Sequence, residues 1–117
     1  MFIKTFSAAL QGIEAELVTI EMHAVSGFDF SLVGLADSAI KEARERIRAA
    51  LQTNGYSMPN KQLTINMAPA DKKKEGSSYD LPLAVGILTI DEQIKESALA
   101  PFLIAGELSL DGTLQPI

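Results

Sequence analysis

An α+β fold, a mixed sheet with two main helices packed on one face, is what the sequence predicts. Three observations predict it. Runs of period-two alternation lie on both sides of one amphipathic helical segment, a second helical segment is apolar almost all round, and a strand with a hairpin turn follows it. Helices of those two kinds, one half-buried and one buried, need a sheet to pack on.

The chain opens with Phe2, Lys4, Phe6 and Ala8 alternating with Ile3, Thr5, Ser7 and Ala9, a strand punctuated by Gln11-Gly12. From Glu16 to Ala24, Val18, Ile20 and Met22 face one way and Thr19, Glu21 and His23 the other, which is the pattern of a half-buried strand. After Ser26-Gly27, the residues Phe28, Phe30 and Leu32 alternate with Asp29 and Ser31 in a third strand ending near Gly34. Asp37 stands at a helix N-cap position, and Ile40, Ala43, Ile47, Ala50 and Leu51 form the apolar stripe of a helix that ends at Asn54-Gly55. Glu42 and Arg46 are ordered for a favourable i,i+4 pair on its other face.

Leu63, Ile65 and Met67 mark a fourth strand that stops at Ala68-Pro69. A polar loop, 70 to 78, leads into a buried helix from Tyr79 to about Ile90, with Pro82 tolerated in its first turn and Ser78 as its expected N-cap. Phe102 to Leu110 reads as a fifth strand, Asp111-Gly112 as a tight hairpin turn, and Leu114 onward as the returning strand.

The chain has 117 residues, 47% of them hydrophobic, and no cysteine. That length suits one domain, and the absence of thiols removes disulfides, thiolate metal sites and cysteine nucleophiles. The longest uncharged apolar stretch, Ala98 to Gly106, is far short of the roughly 20 residues a membrane-spanning helix needs. No secretory signal is legible at the start, so a cytoplasmic location without membrane contact is expected. Net charge is −5, distributed as −3 over residues 1–35, +3 over residues 36–76 and −5 over the remainder. A weakly basic middle on an acidic domain does not supply the phosphate neutralisation that autonomous DNA binding requires.

Four segments carry a resemblance. They are Gly27-Phe28 through Val33-Gly34-Leu35 with Asp37; Glu42-Ala43-Arg44-Glu45-Arg46-Ile47-Arg48-Ala49-Ala50; Asn66-Met67-Ala68-Pro69-Ala70-Asp71; and Lys74-Glu75-Gly76-Ser77-Ser78-Tyr79-Asp80-Leu81-Pro82-Leu83-Ala84, followed by Gly106-Glu107-Leu108-Ser109-Leu110-Asp111-Gly112. Together they resemble the N-terminal domain of the magnesium-chelatase-like, ComM-type AAA+ ATPases. The resemblance implies a Lon-protease-domain-like fold, shared with the second domain of ribosomal protein S-five. It also implies a single domain over residues 1–117 that precedes an AAA+ module holding ATP and magnesium, in a homo-oligomeric and sometimes hexameric parent. Some members of that family are DNA branch-migration motors in natural transformation. The first functional expectation is therefore a non-catalytic accessory domain, with no cofactor or metal of its own and with its own downstream module as partner.

Two other classes are weighed against it. The segment Lys74 to Ser78 is similar to the one holding the nucleophile of Lon-type Ser-Lys hydrolases, with Ser78 at the nucleophile's position and Tyr79-Asp80 replacing the small residues that follow it. A serine needs a base, which that family supplies as a lysine beyond the Gly-Glu-Leu hairpin; His23, the single histidine, falls inside a strand without partners. The other class is a weak nucleic-acid-binding module using Lys41, Arg44 and Arg48 at helical spacing and the Lys72, Lys73, Lys74 cluster. Glu42, Glu45, Asp71 and Glu75 dilute both sets, which favours a solvated, salt-bridged surface. The interaction candidates are thus Lys41, Arg44, Arg48, Lys72, Lys73, Lys74, Ser78 and Asp80. No phosphate-binding loop is present, so ATP is not expected on these residues.

Overall fold

A computed structural model describes residues 1–11, 14–33, 37–69, 78–99 and 101–115. Strands β1 (Phe2–Gln11) and β2 (Glu14–Ser26) form a long antiparallel hairpin in which Phe2 faces His23 and Gln11 faces Glu14. Strand β3 (Phe30–Val33) leads to helix α1 (Asp37–Thr53) and then to β4 (Lys61–Ala68), which returns parallel to β3 and antiparallel to β2. The sheet order is β1-β2-β4-β3, a mixed sheet as the alternation implied. Helix α2 (Asp80–Ile90) follows, then a 3-10 turn at Glu96–Ala98 that the sequence patterns did not announce, and a separate hairpin of β5 (Glu107–Leu108) and β6 (Leu114–Gln115).

Alternation sorts the sheet into two faces. Ile3, Val18, Ile20, Met22, Leu32, Leu63, Ile65 and Met67 turn inward and are buried against Ala43, Ile47 and Leu51 of α1 and Leu83, Ile87 and Ile90 of α2. Each such large side chain contributes about 1.5–3 kcal/mol by leaving water, which makes this layer the main source of stability. The opposite face carries no helix among the described residues, and His23 lies on it, exposed, as its place in the alternation predicted. Gly86 lets α2 approach the sheet: a Cβ there would meet Met22 Cε at 2.5 Å.

Two expectations are corrected. The third strand starts at Phe30, not Phe28, because Gly27 adopts φ 150° and turns the chain away; Phe28 is 88% exposed instead of lying in the core. The fifth strand is Glu107–Leu108 only. Its expected first half, from Phe102, spends its backbone groups elsewhere: Ile104 N–H donates to Phe6 O, Gly106 N–H donates to Ser78 O, and Gly106 O accepts from Leu81 N–H. The hairpin turn does fall at Asp111-Gly112, within a three-residue loop from Leu110 to Gly112 in which Gly112 N–H donates to Ser109 O and Gly112 takes φ 89°, a left-handed position suited to glycine.

Candidate functional site

The most highly organised polar feature joins the two helices. Arg46 comes from the middle of α1 and Asp80 is the first residue of α2. Arg46 Nε donates to Asp80 Oδ2 at 2.5 Å and Nη2 donates to Oδ1 at 3.1 Å, a bidentate pair of the geometry in which guanidinium and carboxylate bind best. The Asp80 side chain is 2% exposed and that of Arg46 29%, so the pair has one buried member and one that reaches solvent. Glu42 approaches Arg46 at 4.0 Å, one turn earlier on α1, as its i,i+4 spacing predicted. Burial pushes the Asp80 carboxyl above its ordinary range, Glu107 adds to the push, and Arg46 pulls against it by hydrogen bond and charge. The Arg46 guanidinium is raised in turn, first by its hydrogen bond to Asp80.

Ser78 is not the N-cap of α2. Tyr79 holds that position in a helical conformation, with no side-chain cap bond. The work of the cap passes to a neighbouring segment, since Gly106 O accepts the free amide of Leu81 while Ser78 O accepts from Gly106 N–H. The Asp80 carboxylate in the first turn adds a favourable charge at the positive end of the helix.

Of the basic candidates, Lys41 is exposed and Arg48 is half-buried, with Nη1 donating to Glu45 Oε1 at 3.3 Å. Arg44 is half-buried, and its Nε is buried without a hydrogen-bond partner among the described residues. Ser38, Lys41, Glu42, Glu45 and Arg46 line a shallow surface depression of mixed charge. Lys72, Lys73 and Lys74 lie outside the described residues. Asp80, named as an interaction candidate, is directed into the protein and committed to Arg46. The structure therefore brings Ser78 and Asp80 to the start of α2, beside Gly106, and leaves Lys41 and Arg48 along α1.

The Arg46–Asp80 bridge was not anticipated. Nothing in a helix-period pattern tells that one arginine of three on α1 faces a helix 34 residues later. The signal available was an aspartate inside an otherwise apolar helix, which requires a cation. Two further polar groups were also missed: Thr5 Oγ1 and Ser7 Oγ are buried on the inward face of β1 with no partner among the described residues.

A second feature is apolar. Leu51 of α1, Asn54 and Tyr56 beyond its end, Leu81, Val85 and Leu88 of α2, and Leu108 and Leu114 of the small hairpin line a groove of about 210 Å3. The hairpin is fastened at its edge by Asn54, whose Nδ2 donates to Ala50 O at 2.8 Å and to Asp111 O at 2.9 Å.

Residues 20–117 match the family described as subunit ChlI of Mg-chelatase. The chain is 44% identical over 110 residues to the uncharacterized protein YifB of Salmonella typhimurium, covering 93% of this chain and 22% of that protein. It is 44% identical over 113 residues to the competence protein ComM of Haemophilus influenzae, covering 96% of this chain and 22% of that one. An uncharacterized protein of Mycobacterium tuberculosis is 41% identical over 115 residues, 97% of this chain and 23% of its own length. The chain thus spans under a quarter of the length of these relatives.

Proposed function

Because the chain belongs to the family of subunit ChlI of Mg-chelatase, as the N-terminal domain of its ComM/YifB-type members, we propose that it is a non-catalytic accessory and interaction domain of a longer ATPase. The observation that carries this reading is coverage: the match takes in nearly all of this chain and about a fifth of each relative. ATP and magnesium are assigned to the downstream module, and the parent is read as a cytoplasmic homo-oligomer, of a family in which some members are hexameric. A parent like the relative named as a competence protein would act on DNA during natural transformation, as a branch-migration motor.

Two features of the domain support the accessory role over a hydrolase. His23 is exposed on the sheet face opposite the helices, whereas Ser78 stands at the start of α2, which counts against their pairing as base and nucleophile. The Tyr79-Asp80 step after Ser78 is used to anchor α2 to α1 through Arg46. Against autonomous DNA binding, two of the four bases of α1 are neutralised by neighbouring carboxylates, Arg48 by Glu45 and Arg46 by Asp80.

The test is to remove this domain from the full-length protein and measure ATP turnover per protomer, oligomer mass and branch migration of a four-way DNA junction. Basal ATP hydrolysis is expected to persist while junction processing falls. Loss of all ATP hydrolysis from a correctly assembled oligomer would show that the domain takes part in the chemistry and would sink the reading. So would labelling of Ser78 by a serine-reactive phosphonate.

A further inference from the structure

Helix α1 is followed by an Asn-Gly step, Asn54-Gly55, and both residues are exposed. Such a step is chemically labile, because glycine has no side chain to keep its backbone nitrogen away from the preceding amide carbon. Here the fold holds the two reacting atoms apart. Gly55 takes φ 83°, and its N–H donates to Gln52 O at 3.2 Å while Tyr56 N–H donates to Leu51 O at 2.9 Å, closing the helix end around that nitrogen. The Asn54 amide is turned back along the helix, its Nδ2 donating to Ala50 O at 2.8 Å and to Asp111 O of the small hairpin at 2.9 Å. Gly112 leaves room for that contact, since a Cβ there would collide with Asn54 Nδ2. Thr53 adds a second tie, its hydroxyl donating to Leu110 O at 3.3 Å.

We infer that Asn54 is a deamidation site gated by the β5–β6 hairpin, and that its conversion releases the hairpin from α1 irreversibly. The co-reactant is water. When the hairpin lifts, the amide loses Asp111 O and becomes free to swing toward Gly55. Base takes the Gly55 N–H proton, the nitrogen attacks Asn54 Cγ, and the Cγ–Nδ2 bond breaks as ammonia leaves with a proton from water. Water then opens the cyclic imide. Cleavage of the new C–N bond leaves aspartate at position 54, and cleavage of the original peptide bond leaves isoaspartate; in net, water is taken up and ammonia released. The product cannot restore the docked state. A carboxylate has no hydrogen to donate, so its oxygens would face the Ala50 and Asp111 carbonyls with like partial charge. It also adds negative charge at the negative end of α1, whose last turn carries no basic residue.

The test follows ammonia loss at position 54 by peptide mass mapping of the full-length protein at mildly alkaline pH, with hydrogen exchange at Leu108 and Ser109 as the measure of hairpin docking. Conversion is expected to be at least about tenfold slower in the native protein than in the urea-unfolded chain, since it draws only on the fraction with the hairpin open. Equal rates would overturn the gate. Gly112→Ala, which drives the amide off the hairpin, should convert faster than the unaltered protein. If that variant does not fold, Thr53→Val, which removes only the hydroxyl on Leu110 O, takes its place with the same expectation. Faster exchange at Leu108 and Ser109 without faster conversion would overturn the inference. Asn54→Asp, the deamidated chain made directly, should exchange at Leu108 and Ser109 faster than the unaltered protein. Unchanged exchange there would show that a carboxylate docks as well as the amide, and would overturn the release.

Discussion

Removing the two members of the Arg46–Asp80 pair is not symmetric. Arg46→Leu leaves a buried carboxylate without its cation, and a cost of about 3 kcal/mol is expected in denaturant unfolding. Asp80→Asn keeps an acceptor against a guanidinium that already reaches solvent, and about 1–2 kcal/mol is expected. The pH dependence follows from the raised Asp80 carboxyl. Between its unfolded value and its higher native one, the native state holds the extra proton, so this group's contribution to stability falls as pH rises through that window and is flat above it. Arg46→Leu removes the influence that pulls the carboxyl down, widening the window. The penalty of that variant should therefore shrink as pH is lowered from neutral toward 4; an equal penalty at both ends would mean that Asp80 is not the group left exposed to the loss. Thr5→Val presents the opposite case. Its hydroxyl is buried and unpartnered among the described residues, so replacement by an apolar isostere should be neutral or stabilising by up to about 1 kcal/mol in thermal unfolding. Ser78→Ala should change stability by less than about 0.5 kcal/mol, because Tyr79 and not this serine holds the N-cap position of α2.

At the scale of elements, α2 is positioned by contacts that close on it from several sides. Gly86 sits against Met22 of β2, and Gly86→Val would force that methionine out of a filled core, with an expected cost of about 1–3 kcal/mol in chemical denaturation. Arg46 fixes the first turn to α1, and the Gly106 carbonyl caps it from the segment before β5. That segment gives its backbone groups to β1 and to the start of α2 in place of a ladder, so the strand read over Phe102 to Leu110 is reduced to Glu107–Leu108. The small hairpin is tied to the end of α1 by two side chains, Asn54 through Asp111 O and Thr53, whose hydroxyl donates to Leu110 O at 3.3 Å. Asn54→Ala removes both amide donations, and should lower stability by about 1 kcal/mol and speed hydrogen exchange at Leu108 and Ser109 more than at the β2–β4 ladder.

For the molecule as a whole, burial is one-sided: two helices cover one face of a four-stranded sheet, and the other face is free of helices among the described residues. Composition and period were enough for most of this. The two alternations in Val18-Ile20-Met22 and Leu63-Ile65-Met67 state which side of each strand is buried, because a strand's side chains must alternate and only one set is apolar. The stripe Ala43-Ile47-Ala50-Leu51 likewise states the buried side of α1, and the segments from Gly27 to Gly112 state the family. Those are local properties, written in adjacent residues. The order β1-β2-β4-β3, the choice of Arg46 over Arg44 or Arg48 as the partner of Asp80, and the capping of α2 by the Gly106 carbonyl in place of Ser78 were decided by tertiary structure. Each depends on which distant groups packing brings within hydrogen-bond reach, and a buried charge or free amide takes the partner that the assembled core presents to it.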